Sequence, residues 1–294
     1  MGSCGGGGNN GGDGYHLALI AARAGLDVEI FACGAEDSFT PETRTCLQEV
    51  KRTGLTIKKC GDDICADVIV DALLGIGLSR ELSGEYFQAA QCINKADIPV
   101  LSIDVPSGLN CDTGEVLGIS VVASATVTFI TRKVGLYIDH GRDCCGRILF
   151  DDLDVPSEII RGVIPVAHLI SYDDIVPIFA PRLRASHKGS FGHVLVIGGA
   201  PGYSGAVRLA AEVAVRSGSG LVSVATHSTH AGLINIRQPE IMCAGVLEAA
   251  DLRLLLSKST VIAFGPGLGT QNWGLEMFSE MRSTSLPLLT IILK

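Results

Sequence analysis

Short runs of Val, Ile and Leu recur along the chain, separated by longer stretches in which apolar residues return every three or four positions. That alternation is the pattern of strands joined by crossover helices in a parallel sheet. It predicts strands over residues 27–32, 67–73, 99–104, 125–131 and 147–153, with helices over 16–24 and 86–95 between them. A second series follows Pro177, with strands over 193–198, 220–225, 260–264 and 286–293. Its helix, 205–216, carries Leu209 and Val213 four apart, the spacing of one buried face.

Between the two series the periodicity lapses, and Pro165, Pro177 and Pro181 punctuate the gap. A domain boundary near 155–175 follows, giving domains of 1–160 and 161–294, although one continuously wound sheet is the alternative. Both ends run into the middle of an expected element. A phosphate-binding glycine loop normally follows a buried strand, yet only four residues precede Gly5, so the expectation is a first strand missing. The segment "LPLLTIILK" stops inside what should be a core strand, leaving 286–293 as an aggregation hazard without its sheet partners.

Composition narrows the class. An apolar fraction of 47% over 294 residues fills sizeable cores, and 36 glycines against 5% aromatics suit an α/β protein with many tight turns. A net charge of −8 argues against nucleic-acid partners, so an anionic ligand must be held locally by backbone amides or a few cations. Ten cysteines are scattered through the chain without a signal peptide ahead of them, which points to a reduced, cytoplasmic setting. Cys144 and Cys145 are adjacent, and Cys60 and Cys65 lack a matching second pair, so no zinc site is expected. The longest uncharged stretch, 217–236, is broken by Gly, Ser, Thr, His and Asn, and no membrane span is expected.

Four stretches carry candidate chemistry in the first half. In "GGGGNNGGDGY" (5–15), Gly6, Gly8 and Gly11 fit G-x-G-x-x-G, a weak match when glycines are this dense. A flexible leader is the plain alternative, but Asn9, Asn10 and Asp13 add oxygens suited to an ion or to ribose hydroxyls. In "VDALLGIGLSREL", Asp71 ends a strand ahead of a glycine loop, either as part of a site or only as a helix cap. "LSIDVPSGLNCDTGE" repeats the arrangement with Asp104, placed to serve as a general base or merely to form a turn. Lys133, past the next strand, would neutralise a diphosphate or polarise a carbonyl, or be an ordinary surface charge. In the second half, "SHKGSFGHVLVIGGAPGYSGA" and "FGPGLG" present glycine loops after strands, without the Gly-Lys-Ser/Thr of a Walker A loop.

Together these motifs carry a resemblance. "GNNGGDGY", "DALLGIGL", "DVPSGL" and Lys133 in "TRKVGL" resemble the NAD(P)H-hydrate epimerase domain, a Rossmann-like three-layer α/β fold. "HKGSFGHVLVIGG" through "GYSGA", "QPEIM" and "GPGLG" resemble the ADP- or ATP-dependent NAD(P)H-hydrate dehydratase domain, a ribokinase-like α/β fold, here incomplete. In this order they resemble the bifunctional NAD(P)H-hydrate repair family, and nearly the whole chain is covered. The resemblance implies that Asn9, Asn10, Gly11, Gly12 and Asp13, the loop of Gly75, Ile76, Gly77, Leu78, Ser79, Arg80 and Glu81, and Asp104 bind a hydrated nicotinamide dinucleotide. It implies a potassium ion on Asn10, Asp71 and Ser107, a set of oxygen ligands that suits a large, weakly held cation better than zinc. It further implies Asp104 as general base with Lys133 assisting, and Ala206 and Gly267 as substrate positions of the second domain. ADP or ATP, with Mg2+, and a homo-oligomer complete the implied partners.

The chain departs from that family in three places. Helices and a first strand ahead of the Asn-Asn loop are expected to be absent, and Ile76 stands where threonine is commoner. The aspartate-bearing glycine loop that supplies the base for phosphoryl transfer lies beyond Lys294, so dehydration is expected to be lost. Two other readings stay open: a non-catalytic protein that has kept the nucleotide crevice, and an ordinary dehydrogenase. The dehydrogenase reading suffers because Asn9 and Asn10 crowd the diphosphate turn and no clear hydride-transfer His or Tyr follows.

Overall fold

The computed structural model describes residues 1–60 and 64–282, and the backbone of 288–290. Its contacts divide the chain into two units, Met1–Ile170 and Ser171–Lys294.

The first unit is built on seven parallel strands: β1 (Gly2–Gly5), β2 (Glu29–Ala32), β3 (Thr56–Lys59), β4 (Ile69–Ala72), β5 (Val100–Ile103), β6 (Ala125–Phe129) and β7 (Arg147–Asp151). They are ordered β3-β2-β1-β4-β5-β6-β7. Helices α1 (Asn9–Arg23), α2 (Pro41–Thr53) and α3 (Gly84–Lys95) cover the two faces. Strand alternation sorts the side chains between them. Ile30 packs with Tyr15 and Leu19 of α1 and Leu47 and Val50 of α2, while its neighbour Phe31 packs with Ala89, Ala90 and Ile93 of α3. The result is the expected three-layer, Rossmann-like sandwich.

The start of the chain overturns two expectations. The first strand is present: Gly2–Gly5 is fully buried and pairs with β2 on one side and β4 on the other, Gly5 lying opposite Ala32 and Ala72. Its residues are small because the slot is narrow; a Cβ on Gly5 would lie 2.6 Å from the Tyr15 ring. A strand without β-branched residues leaves no propensity signal. The helix expected from residue 16 begins at Asn9, so Asn9, Asn10 and Asp13 belong to its first turns and only residues 6–8 form the connecting loop. Helix α2 was not anticipated, although its signals are local: Thr40 caps Thr43 N–H, Pro41 opens the first turn and Gly54 closes the helix in a left-handed conformation.

Among the described residues the second unit has five parallel strands, β8 (His193–Ile197), β9 (Leu221–His227), β10 (Met242–Val246), β11 (Val261–Phe264) and β12 (Leu288–Thr290). Their order is β10-β9-β8-β11-β12. Helices α4 (Ser204–Arg216) and α5 (Asn272–Met281) pack on this sheet. Within α4 the buried stripe is Val207 and Ala211, whereas Leu209 and Val213 are 63% and 61% exposed. The helix is apolar on several sides, so a four-residue spacing alone chose the wrong stripe. Strand β12 does have a partner, pairing in parallel with β11; residues 286–287 and 291–293 of the expected strand lie outside the described residues. The ten cysteines are free thiols. Among the described residues no helix is long and apolar enough to cross a membrane.

Candidate functional site

In the first unit the strand order reverses between β1 and β4, and the carboxyl ends of strands flanking such a point are where open α/β sheets take their ligands. The β1–α1 loop approaches β4 closely. Gly6 N donates to Ala72 O at 3.1 Å, and a Cβ on Gly6 would fall 1.9 Å from Leu73 O, so no other residue fits there. Tyr86 holds the same loop, accepting from Gly7 N at 3.1 Å while donating to Cys33 O at 3.3 Å.

Asp71, at the end of β4, has no exposed surface and is not a helix cap. Its Oδ2 accepts from Ser102 Oγ at 2.8 Å and Ser107 N at 2.9 Å; its Oδ1 accepts from Ser107 Oγ at 2.6 Å and Leu73 N at 3.3 Å. Burial pushes this carboxyl above the ordinary aspartate range, and the four donors work against that rise. Leu74 then ties the neighbours together: its N–H donates to Ser107 Oγ at 2.9 Å and its carbonyl accepts from Asn10 Nδ2 at 2.9 Å. Asn10, Asp71 and Ser107 are therefore linked through Leu74, Asn10 by its amide nitrogen and the other two by their oxygens. No cluster of three His, Cys, Asp or Glu suited to a metal ion occurs among the described residues; the carboxylate and hydroxyl oxygens gathered here are hard, partly neutral donors.

Asp104 follows β5 with a left-handed backbone, φ +68°. Its Oδ1 receives Lys133 Nζ at 2.5 Å, and the pair is largely enclosed. Lys133 Nζ also donates to Thr128 Oγ1 at 3.0 Å and Phe129 O at 2.8 Å. On α1, Asp13 is exposed, and its carboxyl is pushed up first by partial burial and then by the charge of Asp104, with His16 opposing. Gly75 lies against the Asn10 side chain, and Ile76 O accepts a weak bond from Cys111 Sγ at 3.7 Å. Ile76, Gly77, Ser79, Arg80 and Glu81 line an exposed rim, while Leu78 turns partly into the core. Asn9 is exposed; Gly11 and Gly12 are buried in the first turn of α1. Sequence reasoning missed Ser102, Tyr86 and Thr128, since a serine or threonine inside a β-branched run reads as ordinary strand.

In the second unit, Ala206 and Gly267 meet across a cavity of about 620 Å³. Gly267 has φ +64°, and a Cβ there would stand 2.6 Å from Tyr203 O and 3.3 Å from Ala206 Cβ. The two glycine loops are fastened together by Gly199 N to Pro266 O at 2.9 Å and Ala200 N to Gly267 O at 2.8 Å. Buried His230 braces the first loop, its Nε2 lying 2.8 Å from Gly199 O. Among the described residues no charged side chain lines the cavity; backbone, Tyr203, Phe264, Leu268, Leu275 and Phe278 form most of the wall, with Thr270 and Gln271 as its polar side chains.

A parallel sheet with a glycine turn at its switch point, followed by a second parallel unit with a backbone-walled cavity, defines a Rossmann-like domain joined to a ribokinase-like one. Residues 3–135 match the family model for the YjeF-related protein N-terminus, and residues 194–292 match that for NAD(P)H-hydrate dehydratase. The bifunctional NAD(P)H-hydrate repair enzyme Nnr of Coxiella burnetii is 42% identical over 97% of this chain and 59% of its own length. The enzyme of that name from Escherichia coli is 34% identical over 96% of this chain and 55% of its own. A crystal structure of the ADP/ATP-dependent NAD(P)H-hydrate dehydratase from Bacillus subtilis, co-crystallised with ATP/Mg2+, is 28% identical, with a TM-score of 0.37, covering 41% of this chain and 44% of that one. The chain belongs to the bifunctional NAD(P)H-hydrate repair family and spans somewhat over half the length of these curated relatives.

Proposed function

We propose that residues 1–160 form an epimerase that interconverts the R and S forms of hydrated NADH or NADPH. Residues 161–294 then contribute the substrate wall of an ADP- or ATP-dependent dehydratase acting on the S form. The observation that carries this reading is the enclosed Asp104–Lys133 pair at 2.5 Å, on the sheet whose α1, β4 and post-β5 segments also bring Asn10, Asp71 and Ser107 together. In it, Asp104 is the general base and Lys133 its partner, working through the carboxylate oxygen that Lys133 does not engage. Asn9, Asn10, Gly11, Gly12 and Asp13, with the loop from Gly75 to Glu81, hold the dinucleotide. The N-terminal end of α1 favours its diphosphate through the helix dipole.

The donors of Asn10, Asp71 and Ser107 fit a potassium ion: all are oxygens, and Asp71 is a buried carboxylate paired only with neutral donors. Such an ion would supply the positive charge that Asp71 lacks. In the second unit, Ala206 and Gly267 accept the hydrated ring, and the nucleotide with Mg2+ completes that half. A cytoplasmic homo-oligomer is part of the same reading.

The test follows conversion of R-NADPH hydrate to the S form, with potassium and with choline in its place. Conversion above the spontaneous rate, strengthened by potassium, is expected. Tight binding of the hydrate without any conversion would replace this reading with that of a binding protein.

A further inference from the structure

The lysine beside Asp104 has an ammonium group with three N–H donors and nothing to accept with. All three are engaged inside the protein: Asp104 Oδ1 at 2.5 Å, Thr128 Oγ1 at 3.0 Å and Phe129 O at 2.8 Å. Thr128 has no exposed surface, and its hydroxyl also lies 3.3 Å from the Asp104 Oδ1 that Lys133 engages. The third acceptor depends on an unusual backbone. Immediately after Phe129 the chain turns left-handed at Ile130, φ +66°, a conformation that β-branched residues rarely adopt. Ile130 N donates to Asp151 O on the neighbouring strand, and Thr131 N returns to Phe129 O at 2.7 Å, so the carbonyl is held where Lys133 meets it. By contrast, Asp104 Oδ2 has no hydrogen-bond partner among the described residues and is not sealed from solvent.

We infer that Thr128 is a positioning residue that, with the Phe129 carbonyl, saturates the Lys133 ammonium, making Lys133 a fixed counter-charge that passes no proton to substrate and leaving Asp104 Oδ2 as the only group of the pair open to it. The inference deepens the epimerase reading and rests on it for its kinetic half, while its spectroscopic half stands alone. Strain at Ile130 fits the same arrangement, since backbone strain persists where surrounding contacts over-determine it.

The experiment uses the full chain labelled with 15N at lysine, the Lys133 ammonium resonance being assigned by its loss in Lys133→Arg. Wild type should show this resonance exchanging slowly with water, as a fully hydrogen-bonded ammonium does. Thr128→Val keeps the shape but removes the acceptor; the resonance should broaden away, and Thr128→Ser should restore it. Epimerisation kcat should fall about 10- to 100-fold in Thr128→Val with KM nearly unchanged, and return in Thr128→Ser. A wild-type ammonium that exchanges as fast as surface lysines overturns the inference. So does a Thr128→Val protein that keeps both the resonance and the wild-type kcat. If wild type does not epimerise at all, the epimerase reading fails and the resonance alone decides the role of Thr128. Should Thr128→Val not fold, Ile130→Gly, which frees the Phe129 carbonyl, is read in the same way.

Discussion

The two units build their candidate sites in opposite ways. The first gathers side chains: Asp71, Ser102, Ser107, Asp104, Lys133 and Thr128 form two enclosed hydrogen-bonded groups at strand ends. The second builds its cavity largely from main chain and apolar surface, and among the described residues no charged side chain lines it. Glycine loops occur in both, but in the first they let strands and helix approach so that side chains can meet, whereas in the second they are the surface itself. A shared sheet architecture thus says little about which atoms do the work, and fold-level likeness has to be followed down to the site.

The sharpest way to break this contrast is at the charge of Asp104. Asp104→Asn should lower epimerisation about 10²- to 10⁴-fold and cost about 1–3 kcal/mol of stability, because asparagine tolerates the left-handed backbone found there but leaves the enclosed Lys133 ammonium without its counter-charge. Initial rates alongside a denaturation curve check both halves, and an unchanged rate would remove Asp104 from the mechanism.

Next in size is Asp71→Ala, which strands four buried donors and should destabilise the first unit by about 3–5 kcal/mol. Burial raises the folded carboxyl above its unfolded value of 3.8, so its favourable contribution is fully present below that pH and declines as pH rises through the folded value. The deficit of Asp71→Ala, measured by urea unfolding, should accordingly shrink from about pH 4 upward; a deficit that grows would reverse the sign.

In the second unit, Gly267→Val adds atoms where Tyr203 O already stands and forces a β-branched residue into φ +64°. A loss of about 1–3 kcal/mol is expected, together with loss of hydrate binding by calorimetry. Smallest of all is Leu209→Ser on the exposed side of α4, expected within about 0.5 kcal/mol of wild type, against about 2 kcal/mol for Val207→Ala on the buried side. Equal effects of the two would mean that the stripe facing the core is not the one described.

Much of this was legible in the chain. Asp71, Asp104 and Lys133 follow β-rich runs, and a charged residue directly after such a run marks a strand end. What escaped had no such contrast. Strand β1 is Gly, Ser and Cys, residues chosen to be small in a crowded slot, and so resembles a leader. Asn9 to Asp13 looked like loop because glycine disfavours helix, yet packing of Gly12 against Thr43 and Gly14 against Ala72 overrides that preference. Thr128 sits among Thr126, Val127 and Phe129, where only the third dimension distinguishes the hydroxyl that meets a lysine.

The main-chain wall around Gly267 has a consequence for how the protein tolerates change. A site made of side chains is damaged by subtraction, so truncating Asp71 or Thr128 removes something that was used. The loops of residues 198–203 and 265–269 have little to subtract; truncation to alanine passes over most of them, while a methyl group added at Gly198, Gly199 or Gly267 meets an atom at 2.1, 2.5 or 2.6 Å. Systematic mutagenesis should therefore draw the two units as mirror images, one sensitive to what is taken away and the other to what is put in.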